Sequence, residues 1–507
     1  MDAVLSARRR QGQRILLPLA LATIAVAWGL LLARLPLASA IVWTGLALLA
    51  LVTLAEPLAG LAGGLFLGLL RAYLQAEVPQ VPAQIGHLFV ALAAAVWVAY
   101  GLARRDLRFP LPQRLQDATP LLPLLVFFGA GWLSLWNAVG LAAYGLPELV
   151  KWAEIFLVLV IVVDRARPRH VPWLLGALLL VGAFQAGVGL YEFGLRGDGP
   201  EHFMIPGTDF YRAYGTFEQP NPYAGYIGMT LALASGTALG LLWPRGERRR
   251  FSVGHLAYVV PAVALLAAAL GASWSRGAWI GFAAAALAMA VALPHRTRWG
   301  LLLVVLLVVL GLGAYLAGVL PPSVLARLTD FAAGLRLEDV RGAPINDANY
   351  AVIERLAHWQ AALEMWRTHL WTGVGLGCYE PAYPAFALIN WPIALGHAHN
   401  IYLNLLAETG LIGTIAYLFL WGAVLWRTWR LTRRTSGLLR GVAIGLLGVW
   451  TQLTVHNFFD NLYVNNVHLF IGLCLGLLAI AGGQSEGSGV KRFVNLHQDA
   501  GIRPHES

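Results

Sequence analysis

The chain has 507 residues, of which 58% are hydrophobic and only 12% charged, and its formal net charge is +10. A soluble globular protein carries about 25% charged residues, so the composition excludes a chain built from soluble domains. The apolar segments run continuously for about 18–22 residues, which is the length of spanning helices and not of the short alternating strands of a β-barrel. We therefore predict an all-α, polytopic transmembrane helical bundle.

Windows of about 19 residues predict about 14 transmembrane helices. Their centres lie near residues 25, 46, 64, 94, 128, 155, 181, 232, 265, 285, 310, 413, 451 and 474. The least apolar are the third, a Gly-rich segment after Glu56-Pro57, and the sixth, which contains Lys151 and Glu154. We predict one transmembrane domain over residues 1–483. The polar composition of residues 484–507 is typical of a disordered tail.

Most of the 36 Lys and Arg residues fall in alternate loops of this topology. By the positive-inside rule, those loops and both termini lie in the cytoplasm. We interpret the basic loops as topology signals and contacts with anionic membrane lipids, and predict no nucleic acid partner. These loops contain Arg8 to Arg10, Arg104, Arg105, Arg108, Arg114, Arg165, Arg167, Arg169, Arg245, Arg248 to Arg250, Arg296, Arg298, Arg427, Arg430, Arg433, Arg434 and Arg440, and the tail contains Lys491 and Arg492.

Two longer segments are predicted outside the membrane, at about residues 192–221 and 321–399. The second contains RLAHWQAALEMWRTHLW, which begins at Arg355. Its apolar residues recur at spacings of three and four, which predicts an amphipathic helix lying on the bundle or at the membrane surface.

A polar stripe stands at the start of the apolar segment that follows this loop. Asn400, Asn404 and Glu408 are spaced by four residues and share one helix face, which should face a protein interior or a wet cavity. Next to them, His399 could act as a general base or cap the helix, and the residues alone leave both open. His397 with His399 suggests a metal, but the spacing supplies no third ligand. We predict no metal site.

The few arginines outside the membrane form a second candidate site. Arg212 lies in FYRAYGTFEQPNPYAGY, with Tyr214 and Asn221 nearby, and Arg276 lies in a short SRG turn between two predicted spans. A guanidinium is always charged and forks onto phosphate oxygens, so two of them could hold a diphosphate. The alternative is that each arginine extends to lipid headgroups.

Other polar residues give weaker signals. Lys151 and Glu154 could pair along one helix, and Lys151 could also contact the acceptor or lipid. His456 begins a polar group at the outer end of a span, which either lines the same cavity or is a solvated helix end; its other members are Asn457, Asp460 and Asn461.

Four motifs in order resemble the O-antigen ligase and O-antigen polymerase superfamily of bacterial membrane glycosyltransferases. The first two are RAYGTFEQPNPYAGY and SRGAW. The third is the stretch that begins RLAHWQ, and the fourth is the His399-Asn400 pair followed by GLIG at Gly410 to Gly413. Together they cover roughly residues 205–425. The predicted 14 spans exceed the dozen or so typical of the ligases.

The resemblance implies a fold of the C-type glycosyltransferase kind and an inverting transfer that needs no metal or cofactor. The donor glycan would be carried by undecaprenyl diphosphate at the outer face of the cytoplasmic membrane. His399 would deprotonate the acceptor hydroxyl, and Arg212 and Arg276 would hold the diphosphate. The acceptor would be lipid A core or another surface carrier in a ligase, and another repeat unit in a polymerase.

A membrane transporter is the alternative from another functional class, because polytopic bundles with buried charge often carry substrates. Against it, the polar candidates cluster at one face and not at the midplane, and no inverted repeat is visible in the sequence. The residues give no prediction of oligomeric state.

Overall fold

The computed structural model describes residues 22–104 except 24, residues 120–243, residues 253–327 except 320 and 323, and residues 339–482 except 347 and 348. Over these ranges the chain is helical, and its β structure is limited to an isolated bridge between Met204 and Tyr211. The all-α prediction is therefore confirmed. The predicted tail at residues 484–507 lies outside the described residues.

The helices that organise the bundle follow one another through short connections. In chain order they are α1 Leu37–Ala55, α2 Pro57–Leu69, α3 Arg71–Glu77, α4 Ile85–Arg104, α5 Leu121–Ser134, α6 Leu146–Arg165, α7 Val171–Gly194, α8 Pro220–Leu242, α9 Val253–Ala272, α10 Arg276–Ala292, α11 Thr297–Leu316, α12 Tyr350–Thr368, α13 Ile401–Arg434, α14 Gly437–His456 and α15 Val467–Gly482.

The number of membrane spans is lower than the sequence predicted. Among the described residues, eight helices are long and apolar enough to cross a membrane, and α2 with α3 would make nine if this pair, bent by 67°, is one span. Helices α5, α10 and α15 are apolar but shorter, and α6 contains several charged residues. Each predicted centre lies in a helix, but the count of about 14 spans is not confirmed.

Helices α8 and α14 are the most deeply buried of the candidate spans, with 83% and 72% of their apolar windows inside the protein. They meet through two pairs of glycines, Gly236 with Gly445 and Gly240 with Gly441, where a Cβ would overlap the backbone of the facing helix. Because lipid chains are as apolar as core side chains, such close backbone contact is a main source of helix association in membranes. This pair forms the closely packed centre of the bundle.

The end of the bundle at the start of α14 is held by a buried arginine. Arg440 is fully buried and donates hydrogen bonds to the carbonyl oxygens of Trp243 at 3.0 Å, Ala292 at 3.4 Å and Leu293. These carbonyls belong to the C-terminal ends of α8 and α10, where a positive charge is favourable. The sequence interpretation of Arg440 as a lipid contact is therefore wrong, because this side chain lies inside the protein.

The amphipathic helix predicted in the outside loop is α12, which has a buried face that includes Ile353, Leu356 and Ala357. The polypeptide after it packs into a break in α13 at Gly410, whose φ is 61° and ψ is −162°. Four backbone hydrogen bonds of 2.9–3.2 Å join residues 370–375 to residues 407–412 across this break. Backbone groups freed by the break are thereby satisfied, and the loop is fixed against the helix that begins beside His399.

Candidate active site

The two predicted arginines lie close to each other because their loops are joined. Arg212 Nε donates to the carbonyl oxygen of Ser273 at 3.0 Å, in the turn between α9 and α10. Arg212 Nη2 donates to Asn221 Oδ1 at 2.9 Å, and the hydroxyl of Ser275 donates to the same oxygen at 3.0 Å. Arg276 is the first residue of α10. Asn221, also a predicted site residue, therefore holds the two arginine loops together.

Both arginines line one cavity of about 310 Å³, together with Arg327 and Arg355 from the second segment that the sequence predicted outside the membrane. Burial, followed by the charges of Arg327, Arg355 and Arg276, lowers the pKa of Arg212 to about 9, while the charge of Asp460 opposes this shift. Arg212 therefore stays protonated at neutral pH although it is surrounded by like charges. A cavity with four guanidinium groups is strongly cationic.

His456 connects this cavity to the loop after α14. It lines the cavity together with Phe459 and is 1% exposed. A Cβ on Gly277 would lie 3.0 Å from His456 Cδ2 and 3.0 Å from Phe459 Cβ. The glycine that follows Arg276 thus allows the start of α10 to approach this loop closely. Of the polar group predicted at residues 456–461, His456 lines the cavity.

His399 lies on the other side of the same loop. Its Nδ1 is 3.7 Å from Asp460 Oδ1, and its side chain is 21% exposed. Its backbone has a φ of 51°, which is uncommon for a non-glycine residue and typical of functional sites. The backbone N–H donates to His397 Nδ1 at 3.0 Å. Neither ring nitrogen of His399 has a hydrogen-bond partner among the described residues.

The groups around His399 have defined charges. Burial raises the pKa of Asp460, but His399, His397 and His456 outweigh it and hold this pKa below its usual range. Burial lowers the pKa of His397 to about 4, with a further contribution from the charge of His399. The same two causes lower the pKa of His358 on α12 to about 4. At neutral pH, His399 is therefore next to a carboxylate and two neutral imidazoles.

The polar stripe of α13 is buried, as expected, and its residues hold the loop. Asn400 caps the helix by accepting from the N–H groups of Tyr402 at 3.0 Å and Leu403 at 3.2 Å. Asn404 accepts from the N–H of Ala398 at 3.0 Å. Glu408 Oε1 accepts from the N–H of Tyr379 at 3.2 Å. Asn400 and Asn404 therefore position the segment that carries His399, and Glu408 holds an earlier part of the loop. None of the three is among the residues that line the arginine cavity.

Tyr214 lies at the edge of the first loop, where its hydroxyl accepts from Arg196 Nη1 at 3.0 Å. Lys151 pairs with Glu148 and donates to the carbonyl oxygen of Tyr463 at 3.1 Å. The predicted pairing of Lys151 with Glu154 is therefore wrong. The carboxylate of Glu154 is occupied by two histidines, which come from distant parts of the chain.

Among the described residues, two clusters combine side chains of metal-ligand type. Glu154 contacts His87 Nδ1 at 2.7 Å and His468 Nε2 at 2.8 Å, and Asp460 joins His397 and His399. Spacing in the sequence offered no third ligand near the two histidines, and the fold supplies Asp460 from the loop after α14. The carboxylate–histidine distances around Glu154 are those of hydrogen bonds, and they satisfy a buried charge.

Sequence reasoning did not select Arg327, Arg355 or His358 and gave Asp460 no role of its own. The sequence did contain a signal for the two arginines. Both lie in a predicted outside loop, and a position outside the membrane, where arginines are few, was the criterion that selected Arg212 and Arg276. His358 and Asp460 had no such signal. Their proximity to His399 depends on how α12 and the loop after α14 pack.

The described fold and site define a multi-pass membrane protein with a cationic cavity beside a histidine at one end of its bundle. Residues 261–418, about a third of the 507-residue chain, match the family described as O-antigen ligase. Over that segment the chain is similar to this family, whose members are membrane glycosyltransferase-like enzymes. A comparison with curated proteins gave no match. The matched segment contains Arg276, Arg327, Arg355 and His399, whereas Arg212, His456 and Asp460 lie outside it.

Proposed function

We propose that the protein transfers a glycan from undecaprenyl diphosphate to an acceptor hydroxyl at the outer face of the cytoplasmic membrane, as an O-antigen ligase in lipopolysaccharide biosynthesis. His399 is the general base, and Arg212 and Arg276 hold the diphosphate. The observation that carries the proposal is the position of the cationic cavity next to His399, with the loop of His456 and Asp460 between them.

The positions of charged groups along α14 support the proposed orientation. Arg440 lies near the first residue of this helix and His456 is its last residue. A helix of this length is about 30 Å long, which is the thickness of the hydrocarbon core. The candidate site and the loop that contains Arg433, Arg434 and Arg440 thus lie at opposite ends of the bundle. By the positive-inside rule, the candidate site faces the outside and both termini face the cytoplasm.

The chemistry is a single displacement. His399 takes the proton of the acceptor hydroxyl, whose oxygen forms a bond to the anomeric carbon from the face opposite the diphosphate. The bond between that carbon and the diphosphate oxygen breaks, so the configuration is inverted and the diphosphate leaves with the electron pair. Fixed positive charges are most effective where negative charge develops in the transition state. In this proposal, Arg212 and Arg276 supply these charges at the departing diphosphate. The proposed reaction does not use a metal.

Asp460 has a supporting part in this step. Its carboxylate is 3.7 Å from His399 Nδ1, so it stabilises the imidazolium that forms when Nε2 accepts the proton. His397 accepts a hydrogen bond from the backbone of His399 through Nδ1. In its neutral form the proton is therefore on Nε2, and His397 has no lone pair left for the acceptor. His397 is a positioning residue.

The assay is transfer by the purified protein, in lipid nanodiscs, from a polyprenyl-diphosphate glycan to two separate acceptors, a lipid A core and a second repeat unit. Product on the lipid A core supports the ligase. Product on the repeat unit alone would show a polymerase, which would use the same donor site and differ in the acceptor. Movement of the intact donor across a liposome membrane, without transfer to either acceptor, would show a transporter and refute the proposal.

A further inference from the structure

A second polar cavity is formed by parts of the chain that lie before the segment similar to the ligase family. It has a volume of about 330 Å³. Its walls are the C-terminal ends of α4 and α6, the residues directly before α7, and the junction between α1 and α2. Three stretches that are far apart in the sequence therefore meet here, at residues 56, 97–104 and 164–170.

Helix α7 shows where this cavity lies relative to the candidate site. Arg169 lines the cavity two residues before α7 begins. Near the other end of α7, Glu192 accepts a hydrogen bond from the N–H of Tyr214 at 3.1 Å, in the loop that carries Arg212. Because a helix of 24 residues is about 36 Å long, the two cavities lie at opposite ends of the bundle. The proposed orientation places the second cavity at the cytoplasmic face.

The lining of this cavity is rich in guanidinium groups. They belong to Arg104, Arg165, Arg167 and Arg169. Arg104 Cζ lies 5.5 Å and Arg165 Cζ 5.6 Å from the centre of the Tyr100 ring. This ring is itself fixed, because the Tyr100 hydroxyl donates to the carbonyl oxygen of Leu54 at 2.6 Å. Contact with an aromatic ring holds a guanidinium through its charge, so the N–H groups of Arg104 and Arg165 remain available for a ligand.

Two carboxylates also line the cavity, but among the described residues neither forms an ion pair with these arginines. Glu56 accepts from the N–H of Leu58 at 3.2 Å, and Asp164 accepts from Trp97 Nε1 at 2.8 Å. Four guanidinium groups against two carboxylates leave an excess of two positive charges. Guanidinium groups fork onto phosphate oxygens, so the cavity has the charge and the donors for a phosphate ester.

Apolar surface adjoins these charged groups. Leu54 of α1 lies two residues before Glu56, Leu102 of α4 lies two residues before Arg104, and both leucine side chains are exposed. Helices α1 and α4 are candidate membrane spans, so such side chains face acyl chains. Basic pockets between transmembrane helices at the cytoplasmic side are typical sites for anionic lipid headgroups.

We propose that this cavity binds the phosphate ester of an anionic phospholipid, whose acyl chains lie along α1 and α4. The bound headgroup would join the ends of α4 and α6 to the start of α7. The inference goes beyond the proposed function and does not depend on it. The alternative is that these arginines only add to a diffuse positive charge at this face. The two interpretations differ in whether the arginines of the cavity matter more than another exposed arginine at the same end.

The test is native mass spectrometry of the purified full-length protein in a neutral detergent, titrated with phosphatidylglycerol. One lipid should bind more tightly than all later ones, and zwitterionic phosphatidylethanolamine should not occupy this site. Arg165→Gln and Arg169→Gln should each weaken the first binding step by about fivefold, the factor expected for one arginine near a membrane surface. Arg434→Gln is the matched control, because Arg434 is exposed at the end of α13 and does not line the cavity.

Two outcomes would overturn the inference. An equal loss in Arg434→Gln and in the cavity variants would show diffuse attraction to the whole face. Binding of glycerophosphoglycerol, the same headgroup without acyl chains, as tightly as the lipid would show a site for a soluble phosphate ester. Arg169 is exposed, so Arg169→Gln should fold normally, and an unchanged melting temperature before lipid is added would verify this.

Discussion

Replacement of His399 and of Asp460 tests the proposed base directly. A positioned general base contributes about 10²–10⁴-fold to a reaction rate, so His399→Ala should lower kcat by that factor while donor binding is retained. The side chain lies at a partly exposed helix mouth, and its removal should not prevent membrane insertion. His369→Ala is the matched control, because this histidine lies in the same predicted outside segment and is exposed.

The structure also gives a magnitude for the contribution of Asp460 to the reaction rate. Two full charges 3.7 Å apart, the distance from His399 Nδ1 to Asp460 Oδ1, interact by about 4 kcal/mol at an effective dielectric constant of about 20. If about half of the proton has moved in the transition state, the carboxylate contributes about 2 kcal/mol, or roughly thirtyfold in rate. Asp460→Asn, which keeps the size of the side chain, should therefore lower kcat by about ten- to fiftyfold.

The decisive assay is the initial rate of glycan transfer at saturating donor for both single variants and the double variant. If Asp460 acts through His399, the double variant should lose no more activity than His399→Ala alone. Losses that multiply would show that Asp460 acts independently of the histidine. Equal losses in His399→Ala and His397→Ala, together with inhibition by EDTA, would favour a metal held by the two histidines and Asp460 and would refute the general-base assignment.

Further predictions address Arg276, the membrane topology, the packing of α8 against α14 and the pH dependence of stability. Arg276→Ala should lower transfer by about 10²-fold or more, and Arg276→Lys should restore it only in part, since lysine lacks the fork. In intact spheroplasts, an impermeant maleimide should label cysteine at Ala343 and not at Ser436; the reverse would refute the orientation. Gly445→Ala should cost about 1–3 kcal/mol of stability, measured as a lower melting temperature, because its Cβ would lie 2.5 Å from the Leu233 carbonyl. An unfolded histidine binds a proton near pH 6.5, and folded His397 only near 4. Stability should therefore fall from about pH 7 toward pH 4, less steeply in His397→Gln.

The helical class and the neighbourhood of the site could be predicted from hydropathy and from polar residues at the ends of apolar segments. The start of α13 after Asn400 and the helix in the RLAHWQ segment follow from local patterns that need no tertiary information. The span count could not be predicted in this way. A window of apolar residues does not distinguish a helix that crosses the membrane from a shorter one, such as α10, or from the bent pair of α2 and α3.

Contacts between distant segments were also beyond sequence reasoning. Glu154 lies three residues after Lys151, and helix spacing alone favours that pair, but packing brings two histidines to Glu154 and leaves Lys151 with Glu148. Asp460 reaches His399 for a similar reason. Side chains far apart in the chain become neighbours only once the helices have packed, and no local periodicity encodes that arrangement.

The arrangement of the cavity also explains how Arg212 can keep its charge among other arginines. Its guanidinium is held by the Ser273 carbonyl and by Asn221, so neutral oxygens replace water that this charge has lost. These partners accept its hydrogen bonds without neutralising the charge. A carboxylate in the same place would have stabilised the empty site and competed with the substrate. Carbonyl and amide partners therefore keep Arg212 charged and in position before an anion arrives, which is the condition under which fixed charges stabilise a transition state.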